Sequence, residues 1–157
     1  MSVAEVLTAL QNSAVAHAVS KSNHMVGASL QIVHVIGFIL LLSSIVLICL
    51  RLLGLVFAQQ PIPKVGRDAT RLIWLGLTLT VVSGTLMFVS SPRLYAYNPA
   101  FELKMLLLVV AVLVQVLLFR RVCADESPRP ALARATVALS LAAWFGVGLA
   151  GRIIGFI

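Results

Sequence analysis

Residues 27–57 read GASLQIVHVIGFILLLSSIVLICLRLLGLVF, a stretch whose only charge is Arg51 and whose only histidine is His34. About 20 apolar residues in a helix suffice to cross a hydrocarbon core ~30 Å thick. The stretch is therefore longer than a crossing needs. Three further blocks of the same kind follow at 72–89, 101–119 and 135–157. The chain is 61% hydrophobic and 11% charged, which leaves little sequence for a soluble domain. The expected fold class is all-α: an integral membrane four-helix bundle with an N-terminal amphipathic interfacial helix. Its organisation is then 1–25 as an amphipathic outer-surface helix and linker, and 26–157 as the four-helix domain. No cleavable signal peptide is expected, because the first long apolar run begins only after residue 25 and is too long for one.

A formal charge of +7 would suggest nucleic acid in a soluble protein. Here the basic residues follow the membrane instead. Arg51, Lys64, Arg67, Arg71, Arg120, Arg121, Arg129 and Arg134 flank the first and third connections, whereas Lys21, Arg93, Lys104 and Arg152 lie at the opposite face. The positive-inside rule then puts the two basic connections in the cytoplasm and both termini outside, in the periplasm of a bacterial inner membrane. The bilayer takes the place of nucleic acid as partner. Cys49 and Cys123 fall on the cytoplasmic side and show no metal-ligand spacing, so a structural disulfide is not expected.

Upstream, Val3, Val6, Leu7, Leu10, Ala14, Val15 and Ala18 recur at helical spacing, with Glu5, Gln11, Asn12 and His17 largely on the other face. Such a helix lies on the outer membrane surface or packs over the mouth of the bundle; the pattern fits both. In the outer loop, Tyr95 and Tyr97 suit the headgroup level, and Asn98-Pro99 suits the start of a helix.

Ionisable groups inside a membrane are costly, so each is a functional candidate. His34 lies about 10 Å below the outer end of the first span, with Gln31 three residues earlier on the same face. Lys104 lies near the outer end of the third span, where Lys104, Leu108, Ala111 and Gln115 form one stripe. Arg152 lies six positions from the outer end of the fourth span. Facing inward, Gln31, His34, Lys104 and Arg152 would form a cationic pocket for an anionic or carbonyl-bearing ligand: haem propionates, a quinone head group or an acidic segment of a partner. Each residue also has a plainer reading. His34 can hydrogen-bond within the bundle, Lys104 can pair with Glu102, and Arg152 can meet a carboxylate or a lipid phosphate. If haem b is bound, His34 is the expected axial ligand, and only His24 or His17, or a methionine such as Met87 or Met105, is left to supply a second. Two intramembrane histidines on separate helices are absent. No nucleophile elbow, zinc motif or paired intramembrane carboxylates point to a hydrolase.

The order of these segments is itself informative. HVIGFILLLSSIVLICLRLLG from His34, then WLGLTLTVVSGTLMF, YNPAFELKMLLLVVAVLVQVLLF and LAGRII, resemble the DUF6644/DUF2214-like family of small bacterial four-helix membrane proteins of unknown function. The resemblance covers 28–155 and singles out His34, Gly37, Arg51, Lys104, Gly151 and Arg152. This chain departs from that pattern at Cys49-Leu50, where an acidic residue is usual. It departs again at Gln115 and Arg120, which stand where Asn and His are usual. A more distant similarity links the group to CopD-like and HemJ-like proteins, some associated with haem or copper.

The leading expectation is a redox-associated membrane subunit holding haem b or a quinone at its periplasmic end. The alternatives are a non-catalytic assembly or anchor subunit of a larger membrane complex, and a channel or transporter protomer built as a homo-oligomer.

Overall fold

The computed structural model describes residues 3–14, 16 and 24–156, without the side chains of 3, 4 and 24. Its elements are α1 (Val3–Gln11), α2 (His24–Leu52), α3 (Ile62–Ser90), α4 (Pro92–Ala96), α5 (Pro99–Val114), a π-helical turn (Gln115–Phe119), α6 (Arg120–Ala124) and α7 (Pro130–Ile153). Four stretches are long and apolar enough to cross a membrane: Met25–Leu52, Ile62–Ser90, Pro99–Ala124 and Pro130–Ile153. The fold is an all-α membrane bundle, with no strand among the described residues. We call the end bearing Tyr95 and Tyr97 the tyrosine end and the other the basic end.

The helix boundaries depart from the apolar blocks for local reasons. The first helix ends at Leu52, before the apolar run does. Gly54 takes φ +75, its N–H bonds the Arg51 carbonyl at 2.9 Å, and Leu55 N–H bonds Leu50 carbonyl at 2.9 Å. These paired bonds around a left-handed glycine form a Schellman stop. The second helix starts ten residues before its apolar block, at Ile62. Pro61 and Pro63 sit where a helix's first turn has no use for their missing N–H groups, and the charged turns through Arg71 continue the helix out of the apolar layer. The same proline start at Pro130 extends α7.

The expected helix over 3–20 is interrupted at 12–13, where Ser13 Oγ accepts from Ala16 N–H at 3.2 Å; His17 and the residues beside it lie outside the described ones. Helix α1 packs against α3 and α4. Leu7 is buried there, and Arg93 donates to Thr8 Oγ1 at 2.9 Å. Of the two placements open to this segment, these contacts favour docking on the bundle.

Two antiparallel pairs make the bundle, α2 with α3 and α5 with α7. In the first pair the backbones meet. A Cβ on Gly76 would stand 2.6 Å from Gly37 carbonyl oxygen and 2.7 Å from Leu41 nitrogen. Below that crossing, Leu41, Ile45, Ile48 and Ile73 are fully buried with Phe119 and Trp144 from the second pair. Outward faces stay apolar: in the most apolar window of Pro99–Ala124 only 11% is buried within the chain, as suits a span in an apolar layer.

Arg51 turns back onto the connection that follows it. Its Nε donates to the Gln60 carbonyl at 3.0 Å and its Nη2 to the carbonyls of Ala58 and Gln60, closing the α2–α3 connection. Arg51→Met is expected to loosen this loop with little effect on the spans. Limited proteolysis in detergent should cut 53–60 several-fold faster in the variant, with helical circular dichroism unchanged.

Candidate functional site

The tyrosine end is assembled by the start of α5. Asn98 caps this helix, its side chain accepting from Ala100 N–H at 3.0 Å and Phe101 N–H at 3.3 Å. Its Nδ2 donates across to the Ile154 carbonyl at 3.3 Å, tying α5 to the end of α7. Phe101 stacks on Phe88 with ring centroids 5.4 Å apart, and Tyr95 leans on both rings. Tyr97 is exposed.

Lys104 follows one and a half turns into α5. Its stem and ammonium run along α7 at Gly151: a Cβ there would lie 3.5 Å from Nζ and 3.6 Å from Cε. No carboxylate reaches this ammonium among the described residues, and Glu102 is exposed. The two segments that carry the family resemblance, NPAFELK and LAGRII, thus touch at two points, Asn98 with Ile154 and Lys104 with Gly151.

His34 belongs to the other pair. Its Nδ1 lies 3.1 Å from Ser83 Oγ on α3. Gly84 leaves the ring its room, since a Cβ there would come within 3.0 Å of Cε1. The proton on this bond follows from the network. Ser83 donates its single hydroxyl proton to the Leu79 carbonyl at 2.6 Å, so its oxygen accepts from His34. This network assigns the Nδ1–H tautomer to the neutral imidazole, with the lone pair on Nε2. One turn further along α2 the Phe38 ring sits on Gly148 of α7, three residues from the Gly151 on which Lys104 lies. A lone pair and an ammonium thus share one depth of the bundle, on opposite helix pairs.

The remaining expected site residues stand apart. Gln31 is exposed one turn above His34. Arg152 is exposed beside Gly151, its guanidinium 5.0 Å from the Phe156 ring centroid. His24 opens α2, ten residues and about 15 Å along the helix from His34. His17 lies outside the described residues. Met87 is half-buried and Met105 is exposed. Among the described residues no three of His, Cys, Asp and Glu gather as a metal set. Ser83, Gly84 and Gly151, which in sequence suggest only close helix packing, here shape the surroundings of His34 and Lys104.

The sequence profile of DUF6644, a family of unknown function, matches residues 12–157. The chain belongs to DUF6644. That match does not extend to the more distant similarity with CopD-like or HemJ-like proteins. No curated protein and no solved structure matches the chain. The glycines of this DUF6644 member's last span have visible uses within the chain: Gly146 receives Leu107, Gly148 the Phe38 ring and Gly151 Lys104.

Proposed function

We propose that this chain is a small inner-membrane subunit that binds the head group of a quinone-type lipid between His34 and Lys104, at its periplasmic end. The observation that carries this reading is the Nε2 of His34 at the depth of an ammonium that has no carboxylate partner among the described residues. In a low-dielectric layer such a pair favours a neutral ligand able to offer a hydroxyl proton to one group and a carbonyl oxygen to the other. Lys104 would donate to one oxygen of the ring, and Nε2 would accept the hydroxyl proton of the reduced form. A quinone supplies the electron-carrying chemistry; the chain supplies orientation and a proton site. Entry from the lipid face suits such a ligand, since the spans face outward with apolar side chains.

Haem b is the second reading, because a histidine whose Nδ1–H is anchored presents the nitrogen that an axial ligand uses. It is the weaker one. Ten residues of helix separate His24 from His34, and no second histidine stands near Nε2 among the described residues. The assembly-subunit reading loses part of its support, because three glycines of α7 that could have received a partner helix are filled from within.

Titration of the protein in nanodiscs with a short-chain quinone, followed by tryptophan fluorescence quenching, tests the proposal. Saturable binding is expected, weakened about tenfold or more by His34→Ala and by Lys104→Met, which corresponds to about 1.4 kcal/mol each. Absence of binding, or an affinity that neither variant changes, overturns it. A Soret band in the purified protein that vanishes in His34→Ala would transfer the site to haem.

A further inference from the structure

A second polar cluster lies toward the basic end, away from His34 and Lys104. Thr136, Ser140 and Trp144 follow one another at four-residue spacing on α7, and all three are buried, at 1%, 0% and 1% exposure. Gln115, at 4%, opens the π-helical turn on the neighbouring span. The register of that pair brings them to one level. Lys104 lies on Gly151 and Leu107 on Gly146, so the two helices run antiparallel. Each step toward the basic end on one matches a step back on the other. Continued at that rate, Gln115 comes level with 138–140, with Ser140 beside it, Thr136 one turn below and Trp144 one turn above.

Four atoms of this cluster have no hydrogen-bond partner among the described residues: Gln115 Oε1, Thr136 Oγ1, Ser140 Oγ and Trp144 Nε1. For the hydroxyls this is unusual in this molecule. Ser29, Ser43, Ser44, Thr78, Thr80, Ser83, Thr85 and Ser90 all donate back to a carbonyl three or four residues earlier. Thr136 and Ser140 forgo that bond. A buried polar group without a partner costs free energy, most of all inside a membrane where no bulk water compensates it. Such atoms, strung along about two turns of one helix seam, are what one or two bound hydrogen-bonding molecules would satisfy.

The chemistry of the four selects that molecule. Trp144 donates only, Gln115 Oε1 accepts only, and the two hydroxyls do either. None is charged, so an ion is not favoured. The groups are closed off by the chain, so the occupant is small. A buried water typically makes about three hydrogen bonds, and it both donates and accepts. Gln115 opens a π-helical turn, a local widening of the helix that is frequent at functional sites.

We propose that Gln115, Thr136, Ser140 and Trp144 form a water-binding site buried between α5 and α7, holding about one or two water molecules. The Phe38 ring seated on Gly148 stands between it and the level of Lys104, so the two polar regions are separate. The proposal does not depend on what His34 and Lys104 bind.

Nuclear magnetic resonance of the protein in nanodiscs, with Trp74→Phe leaving Trp144 as the single indole, provides the test. Magnetisation transfer from water to the Trp144 indole N–H is expected. It should fall at least threefold in Thr136→Val with Ser140→Ala, changes small enough to keep the fold, as judged by unchanged signal dispersion. Gln115→Met is a second variant with the same expectation. An indole that receives no transfer from water in the parent protein overturns the proposal. So does transfer that both variants leave intact. If Gln115 were to bond Ser140 or Trp144 directly, transfer would be missing and the proposal would fail in the same way.

Discussion

Gly76→Ala should destabilise the bundle by about 3 kcal/mol, the upper range for forcing a methyl into a packed core. The added Cβ would stand 2.6 Å from one backbone atom and 2.7 Å from another. Neither can swing aside as a side-chain tip could, so α2 and α3 must move apart along their whole contact. Gly27→Ala is the matched control. It lies in α2, and nothing lies within 4 Å of its Cβ position. There the gain in helix propensity should leave stability unchanged or raise it by about 0.5–1 kcal/mol. Reversible unfolding of both variants in one detergent measures the difference. Equal stabilities would mean that the helices do not cross at Gly37 and Gly76.

Asn98→Ala should cost about 2 kcal/mol. About half is the cap on α5, and the rest is the bond from Nδ2 to the Ile154 carbonyl, worth about 1 kcal/mol. The two parts can be separated, because Asn98→Asp keeps the acceptor for Ala100 and Phe101 but removes the donor to α7. Aspartate should therefore lose about half of what alanine loses, by the same cap and bond values. If it loses as much as alanine, the cap contributes little and the tie to α7 is what matters.

Much of this fold was legible in the sequence because the bilayer imposes a simple demand, a long apolar run for each crossing. Four runs gave four spans. The ends of the helices were less legible, since apolarity marks where hydrocarbon begins and not where backbone hydrogen bonding stops. Gly54 stops α2 inside an apolar run, and Pro61 starts α3 well before one. The stripe Lys104, Leu108, Ala111, Gln115 was correctly read as one face, with its last two members buried.

The candidate site was legible only in its charged members. His34 and Lys104 stand out because ionisable groups are rare in such helices. Gln31 and Arg152 share their depth but lie exposed, and depth along a helix says nothing about direction around it. Ser83 was hidden among other small residues, for nothing local marks which hydroxyl a histidine on another helix will use. Gln115, Thr136, Ser140 and Trp144 are ordinary residues one by one. Only the antiparallel register of α5 and α7 gathers them, and register is a tertiary property.

The bundle's division into two antiparallel pairs bears directly on His34 and Lys104, one on each pair. A molecule bonded to both would act as a clasp across the seam, resisting any sliding of α7 past α2. Linkage makes this reciprocal: whatever shifts one pair against the other must change the affinity of that molecule by the same factor. The interface between the pairs would then sense occupancy as well as hold the chain together.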